Sequence, residues 1–232
     1  MKSRTIAVIT ARGGSKRIPK KNIKEFCGKP IIAYSIQAAL DSGLFDEVMV
    51  STDSGEIAEV ARTYGAAVPF MRSEKNANDH ATTADVLLEV LSEYEKRGQE
   101  FDYMVCIYPT APFVTPDKLT HGLELLKKES ADMVMPVVAF SYPPQRGYMI
   151  ESERLYMKWK ENLNVRSQDL ETMYHDCGQF YCYEVEPYRK KKGQISQGIV
   201  PMILDEREVQ DIDNESDWKI AEMKYKLMCG EY

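Results

Sequence analysis

The chain has 232 residues, 44% of them hydrophobic and 28% charged, with a formal net charge of −6. That length suffices for one large domain, or for one domain with an insertion, around a substantial core. The acidic balance argues against a general nucleic-acid binder, which would present a basic domain, and no apolar run approaches the ~20 residues of a membrane span.

The leader Met1-Lys2-Ser3-Arg4 opens on an apolar run of only about six residues, shorter than a signal h-region, so a cytoplasmic protein is expected. The cysteines, Cys27, Cys106, Cys177, Cys182 and Cys229, are scattered, odd in number and without C-x-x-C spacing, which points to free thiols. His80, His121 and His175 show no metal-ligand spacing.

Thr5 to Thr10 reads as a buried strand, and it runs straight into Ala11-Arg12-Gly13-Gly14-Ser15-Lys16-Arg17-Ile18-Pro19-Lys20-Lys21-Asn22. Glycines free the backbone N–H groups to turn toward an anion, and Arg12, Lys16 and Lys21 bring charge to several phosphate oxygens at once, which suits a triphosphate. The segment lacks the G-x-x-x-x-G-K-[ST] order of a Walker loop. A solvated, Lys-rich surface turn is the alternative.

Further strands are predicted at Val48 to Val50, Ala67 to Val68, Tyr103 to Ile107 and Met133 to Val138. Between them lie helical patterns, with Ala84, Leu87, Leu88 and Leu91 sharing one face over Thr83 to Tyr94, and Leu119, Leu123 and Leu126 another over Lys118 to Lys128. Gly43, Gly65 and Gly98 read as helix stops. Alternation of this kind predicts an α/β fold with a mostly parallel sheet. From Phe140 to Asp176 the rhythm breaks into Tyr-, Pro-, Arg- and Lys-rich sequence with weak alternation, expected to be an inserted arm of hairpins that serves as substrate lid, dimer contact or both. The core is thus assigned to 1–139 and 177–232 and the arm to 140–176. Regular structure resumes at Gln179 to Tyr183 and Ile199 to Leu204, and a helix closes the chain from Ser216 to Met228.

Ligands of open α/β sheets sit beyond the carboxyl ends of the strands, where this chain places the basic loop, Ser51-Thr52-Asp53 and Tyr108-Pro109-Thr110-Ala111-Pro112. Asp211 and Asp213, two apart in extended backbone, face one side and could hold Mg²⁺ against phosphate; an acidic turn before the last helix is the alternative. Asp53 is equally readable as a helix N-cap, and Tyr108 as a strand-end core aromatic.

With these residues assembled, the chain resembles the nonulosonic acid cytidylyltransferases over nearly its full length. Ile9 to Asn22 matches the family pattern I-x-A-R-x-G-S-K-x-x-x-x-K-N, supported by Ser51-Thr52-Asp53, Pro109-Thr110-Ala111-Pro112, Arg166-Ser167-Gln168-Asp169 and Asp211-Ile212-Asp213. The resemblance implies a Rossmann-like nucleotide-diphospho-sugar transferase fold, a GT-A-like three-layer sandwich with an arm that makes homodimers. It implies that Ala11, Arg12, Gly14, Ser15, Lys16, Lys21 and Asn22 hold CTP, with Arg72, Thr82 and Thr83 at the cytosine pocket. Arg12, Lys16, Lys21 and Asp211 would carry catalysis, Asp211 and Asp213 would hold Mg²⁺, and Arg166 and Gln168 would meet the nine-carbon sugar acid.

Where sialic acid members have Gln before the Pro-Thr-Ser-Pro turn and Asn-Gly-Ala entering the late strand, this chain has Tyr108 and Gly178-Gln179-Phe180-Tyr181. Tyr108, Gln179 and Phe180 therefore become sugar-side candidates, and the pattern looks most like the pseudaminic acid cytidylyltransferase subgroup of flagellin and surface-glycan modification. Legionaminate or N-acetylneuraminate synthetases differ only in the sugar pocket, whereas a 3-deoxy-manno-octulosonate enzyme would open with a different glycine-rich loop. From another class, a non-catalytic nucleotide-binding module stays open.

Overall fold

A computed structural model of the protein describes residues 3–15 and 17–231. The strands are β1 (Thr5–Thr10), β2 (Glu25–Phe26), β3 (Lys29–Pro30), β4 (Glu47–Ser51), β5 (Tyr103–Ile107), β6 (Met133–Ala139), β7 (Tyr148–Glu151), β8 (Arg154–Met157), β9 (Tyr174–Asp176), β10 (Phe180–Glu184) and β11 (Ile199–Ile203). The helices are α1 (Ile31–Asp41), α2 (Gly55–Thr63), α3 (Glu74–Ala77), α4 (Thr83–Glu95), α5 (Pro116–Lys128), α6 (Val185–Lys190) and α7 (Glu215–Met228). Among the described residues no helix is long and apolar enough to cross a membrane.

The central sheet has seven strands in the order β11-β6-β10-β5-β1-β4, with β9 paired to β6. β1 pairs parallel with β4 and β5, and β11 with β6, whereas β10 runs antiparallel between β5 and β6, and β9 antiparallel along β6. The sheet is therefore mostly parallel, interrupted by β10. Along β1, Ala7 and Ile9 join a core with Ile32 and Ile36 of α1, Ala58 of α2 and Leu119 and Leu123 of α5. Ile6 and Val8 face the other way, against Leu87, Val90 and Leu91 of α4 and Tyr188 of α6. Burial on both faces explains why β1 is apolar without alternation and makes the three layers.

Helix ends follow local chemistry. Thr115 caps α5 by accepting from Lys118 N, with Pro116 in the first turn where a missing N–H is harmless. Gly43 and Gly65 take φ of +63° and +92° just past α1 and α2, the left-handed conformation that ends a helix.

The segment Ala67-Val68, expected as a strand, makes only an isolated parallel bridge from Ala67 to Met49. Ala67 N donates to Val48 O and Val50 N to Ala67 O, each at 2.9 Å, and the pairing stops there. Two residues are too few to sustain a ladder.

A third apolar cluster lies apart, at the end of the sheet where β1 terminates. Ile18, Phe26, Ile31, Tyr34, Phe113, Ile212 and Trp218 pack together there. Phe26 is its hub, edge-on to Tyr34 at 5.5 Å and to Trp218 and Tyr225 at 5.6 Å. Each such pair adds about 0.5–1.5 kcal/mol to the burial itself. This cluster draws the far end of the basic loop and the strand-like stretch around Ile212 to one place.

Residues 140–173 hang from β6 and β9 and carry the hairpin β7–β8, which forms a sheet of its own. Its two-residue turn, Ser152-Glu153, has φ of +49° and +63°, the pair of left-handed residues that a type I′ turn demands.

Candidate active site

The basic loop is shaped by its own backbone bonds. Ala11 N donates to Ser51 O at 3.0 Å, which holds the chain beside β4 one residue past β1. Gly13 N donates to Asp53 Oδ1 at 2.8 Å, and a Cβ added to Gly13 would lie 3.1 Å from Ser54 Cβ, so only glycine fits there without displacing a neighbour. Asn22, 5% exposed, turns its Nδ2 onto the Arg12 carbonyl at 2.8 Å and closes the loop on itself.

The loop walls a cleft of about 640 Å³. Arg12, Ser15, Arg17, Lys21 and Asn22 line it together with Arg72, Thr82, Thr83, Tyr108 and Asp213. Tethering accounts for these positions. Lys21 Nζ donates to the Ile212 carbonyl at 2.7 Å and lies 4.0 Å from Asp213 Oδ1, while Arg17 Nη2 is 2.8 Å from that same oxygen. Arg72, 9% exposed, donates from Nη2 to Ser51 O at 2.6 Å and from Nε to Ser51 Oγ at 3.1 Å. Thr82 caps α4 by accepting from Asp85 N, which aims the helix start at the cleft and makes it a place for negative charge.

The field of the cleft is cationic, with buried charges. Burial lowers the pKa of Lys21, and the carboxylates of Asp213 and Asp211 oppose that shift. Burial likewise lowers the Arg72 guanidinium, against Asp53 and Glu89. Incomplete pairing in low dielectric leaves both cations poised for an anionic ligand.

The expected residues fall into two groups. Arg12, Ser15, Lys21, Asn22, Arg72, Thr82, Thr83, Tyr108 and Asp213 line one cleft. Lys16 lies outside the described residues. Ala11 is fully buried in the core, Gly14 has open space on its Cβ side, and neither lines the cleft, nor does Asp211, which is exposed beside buried Ile212.

Gln179 is 2% exposed and donates from Nε2 to Glu208 O at 2.7 Å, away from the cleft lining, and Phe180 is fully buried in the core beneath α5. Arg166 and Gln168 sit on the arm, where Arg166 Nε lies 2.9 Å from Asp169 Oδ2 and no part of either lines the cleft.

Arg17, Asn76, Asn78 and Asp79 line the cleft without having been singled out. Arg12 Nη1 reaches Asp79 Oδ1 at 2.6 Å. The Asn76-Ala77-Asn78-Asp79 stretch, polar and rich in turn formers before a helix cap, was the available signal.

Among the described residues no three His, Cys, Asp or Glu side chains are placed to hold a metal ion. Asp211 and Asp213 nevertheless fit Mg²⁺, because that ion takes one or two carboxylates and completes its shell with phosphate and water. Ile212, 1% exposed, anchors the stretch between them, so the flanking carboxylates stay at the surface. The chemistry the site supports is binding of a polyphosphate by charge-assisted hydrogen bonds.

Residues 6–220 match the family model described as cytidylyltransferase. A pseudaminic acid cytidylyltransferase of Campylobacter jejuni subsp. jejuni serotype O:2 is 37% identical over 225 residues, 97% of each chain. A CMP-N,N'-diacetyllegionaminic acid synthase of Legionella pneumophila subsp. pneumophila is 34% identical over 97% of each chain. Among solved structures, CMP:2-keto-3-deoxy-manno-octonic acid synthetase complexed with CTP has the same fold, with a TM-score of 0.70 at 19% identity, covering 99% of this chain and 100% of that one.

Proposed function

The chain belongs to the cytidylyltransferase family, and we propose that it transfers CMP from CTP to the anomeric hydroxyl of a nonulosonic acid, with pseudaminic acid the preferred acceptor. The observation that carries this reading is one cleft lined at once by Arg12 and Lys21 of the basic loop, Arg72, the capped start of α4, and Tyr108.

Arg12 and Lys21 bind the CTP phosphates, with Lys16 beside them in the sequence. Arg72, Thr82, Thr83 and Asn22 receive the nucleoside end. The acceptor hydroxyl attacks the α-phosphorus in line and pyrophosphate leaves, so the protein's work is positioning and neutralisation of charge. When bound at Asp211 and Asp213, Mg²⁺ supplies Lewis-acid neutralisation of the phosphate oxygens. Lys21, tied to Ile212 O, fixes that stretch against the loop.

Arg166 and Gln168 on the arm serve the sugar carboxylate. Exposed apolar residues on the arm, among them Tyr142, Tyr148, Ile150, Leu155 and Leu163, support a homodimer formed through it. Deleting the arm and measuring mass by light scattering tests that; an unchanged mass removes the claim. Free thiols at all five cysteines fit a reducing, cytoplasmic setting.

A pyrophosphate-release panel with CTP and pseudaminic, legionaminic, N-acetylneuraminic or 3-deoxy-octulosonic acid tests the reading. Release with pseudaminic acid above the others supports it. CTP binding without release on any acceptor returns the chain to a nucleotide-binding module.

A further inference from the structure

Gln179, expected at the sugar, has a different place in the fold. It stands just before β10, 2% exposed, and its backbone carbonyl accepts from Tyr108 N at 2.8 Å. Its Nε2 donates to Glu208 O at 2.7 Å; a carbonyl only accepts, so the amide nitrogen is the atom that faces it. Its Oε1 is buried and has no hydrogen-bond partner among the described residues. A buried amide that makes one side-chain hydrogen bond and leaves an acceptor unpaired adds little to stability, because desolvation of the idle oxygen offsets the bond.

What the amide holds is a stretch with no ladder of its own. From Val209 to Asp213 the backbone is neither helix nor strand, and its carbonyls are taken up by side chains from distant segments. Lys224 Nζ of α7 donates to Val209 O at 2.7 Å and to Glu206 O at 3.1 Å, and Lys21 Nζ to Ile212 O at 2.7 Å. Lys118 of α5 donates to Phe113 O at 2.9 Å and holds the Glu208 carboxylate at 2.8 Å. Val209 and Ile212 sink into two separate apolar clusters. The stretch is fixed by its carbonyls and by these two side chains, which leaves the Asp211 and Asp213 carboxylates outside the core, Asp213 on the cleft.

We propose that Gln179 is a positioning residue that sets Asp211 and Asp213, through Glu208 O, in the placement a divalent cation on phosphate requires. The inference rests on the proposed function, with Mg²⁺ at those two carboxylates, and gives Gln179 a role in place of the expected sugar contact. Gln179 lines no part of the cleft; it acts through the backbone between Glu208 and Asp213. Lys224 acts on the same stretch from α7. Groups that orient metal ligands without touching the metal change its affinity by about 10- to 100-fold when removed.

The test compares Gln179→Met and Lys224→Met with the parent by three measurements. Methionine fills the space of the amide without its donor. The Mg²⁺ concentration for half-maximal pyrophosphate release should rise about tenfold in each variant, with the CTP KM at saturating Mg²⁺ little changed. Hydrogen exchange of the metal-free protein should quicken from Val209 to Asp213. The melting temperature of Gln179→Met should stay close to the parental one, because the substitution removes the idle acceptor together with the donor.

A magnesium titration unmoved in Gln179→Met but shifted in Asp211→Asn would overturn the inference and leave the proposed function standing. Unchanged exchange over the stretch would do the same. A rise in Mg²⁺ demand that comes only with a fall in melting temperature assigns Gln179 to general packing and also overturns it. Should Asp211→Asn leave the titration unmoved as well, the cation site falls and the inference with it. A parent that releases no pyrophosphate with any sugar acid overturns both readings.

Discussion

The Arg12 guanidinium lies 2.6 Å from the Asp79 carboxylate, so the loop after β1 and the turn before α4 are tied across the cleft. In the proposed binding mode CTP exchanges that partner for phosphate. Exposed pairs are worth about 0.2–1 kcal/mol, so Asp79→Asn should lower the KM for CTP by up to about fivefold. Arg12→Ala acts in the opposite direction, because it removes charge-assisted contacts of about 1.5–3 kcal/mol, and kcat/KM should fall by roughly 10- to 150-fold. Pyrophosphate release reads both, and circular dichroism checks the fold. Near-parental kinetics in Arg12→Ala would make the loop a solvated turn.

Lys21 should give the proposed nucleotide site a pH dependence. Burial holds its pKa below 10.5, with Asp213 and Asp211 opposing. Between the folded value and 10.5 the native chain binds fewer protons than the unfolded chain, so this group makes stability rise with pH across that window. CTP binding works against that, since phosphate favours the charged amine. The KM for CTP should therefore climb on an alkaline limb beginning below 10.5, and binding there should take up a proton, measured by calorimetry in buffers of different ionisation heat. Lys21→Arg should move the limb to higher pH. A limb unmoved by that substitution assigns it to another group.

If Asp211 and Asp213 hold Mg²⁺ as proposed, Asp211→Asn takes one anionic ligand from the cation while keeping the shape of the side chain. The Mg²⁺ concentration for half-maximal rate should rise and turnover fall, with the CTP KM at saturating metal little changed. An unchanged magnesium titration would place the metal elsewhere.

Gly122 on α5 shows how tightly that helix lies on the sheet. A Cβ there would fall 2.9 Å from Cys182 Sγ and 3.1 Å from Phe180 Cε2. Gly122→Ala should destabilise by about 1–3 kcal/mol through overpacking, despite alanine's better helix propensity. In a chain of this size each kcal/mol lowers the melting temperature by roughly 2–4 °C, which calorimetry resolves.

Tyr108→Gln changes the wall of the cleft from ring to amide. The parent should favour pseudaminic over N-acetylneuraminic acid by about tenfold in kcat/KM, since each buried hydroxyl left unpaired against the ring costs about 1–3 kcal/mol. The variant should narrow that ratio. A ratio untouched by the substitution removes Tyr108 from the choice of sugar.

The sequence by itself determined the parts whose signal is local. An unbroken apolar run in β1, glycines with basic residues straight after it, helix caps and glycine stops each depend on neighbours within a few positions, and so they predicted the α/β alternation and the basic loop that walls the cleft. Other features were decided by contacts between distant segments. Gln179 and Phe180 were expected toward the sugar, yet Gln179 turns to Glu208 O and Phe180 sinks under α5, because β10 enters antiparallel between β5 and β6 and its pleat sets which residues face each side. Lys21 meets Ile212 at a separation of 191 residues, and Arg12 meets Asp79 at 67. Neither pairing leaves a periodic trace along the chain. The aromatic cluster around Phe26 and Trp218 brings the first of them about, through packing that exists only once the chain has closed on itself.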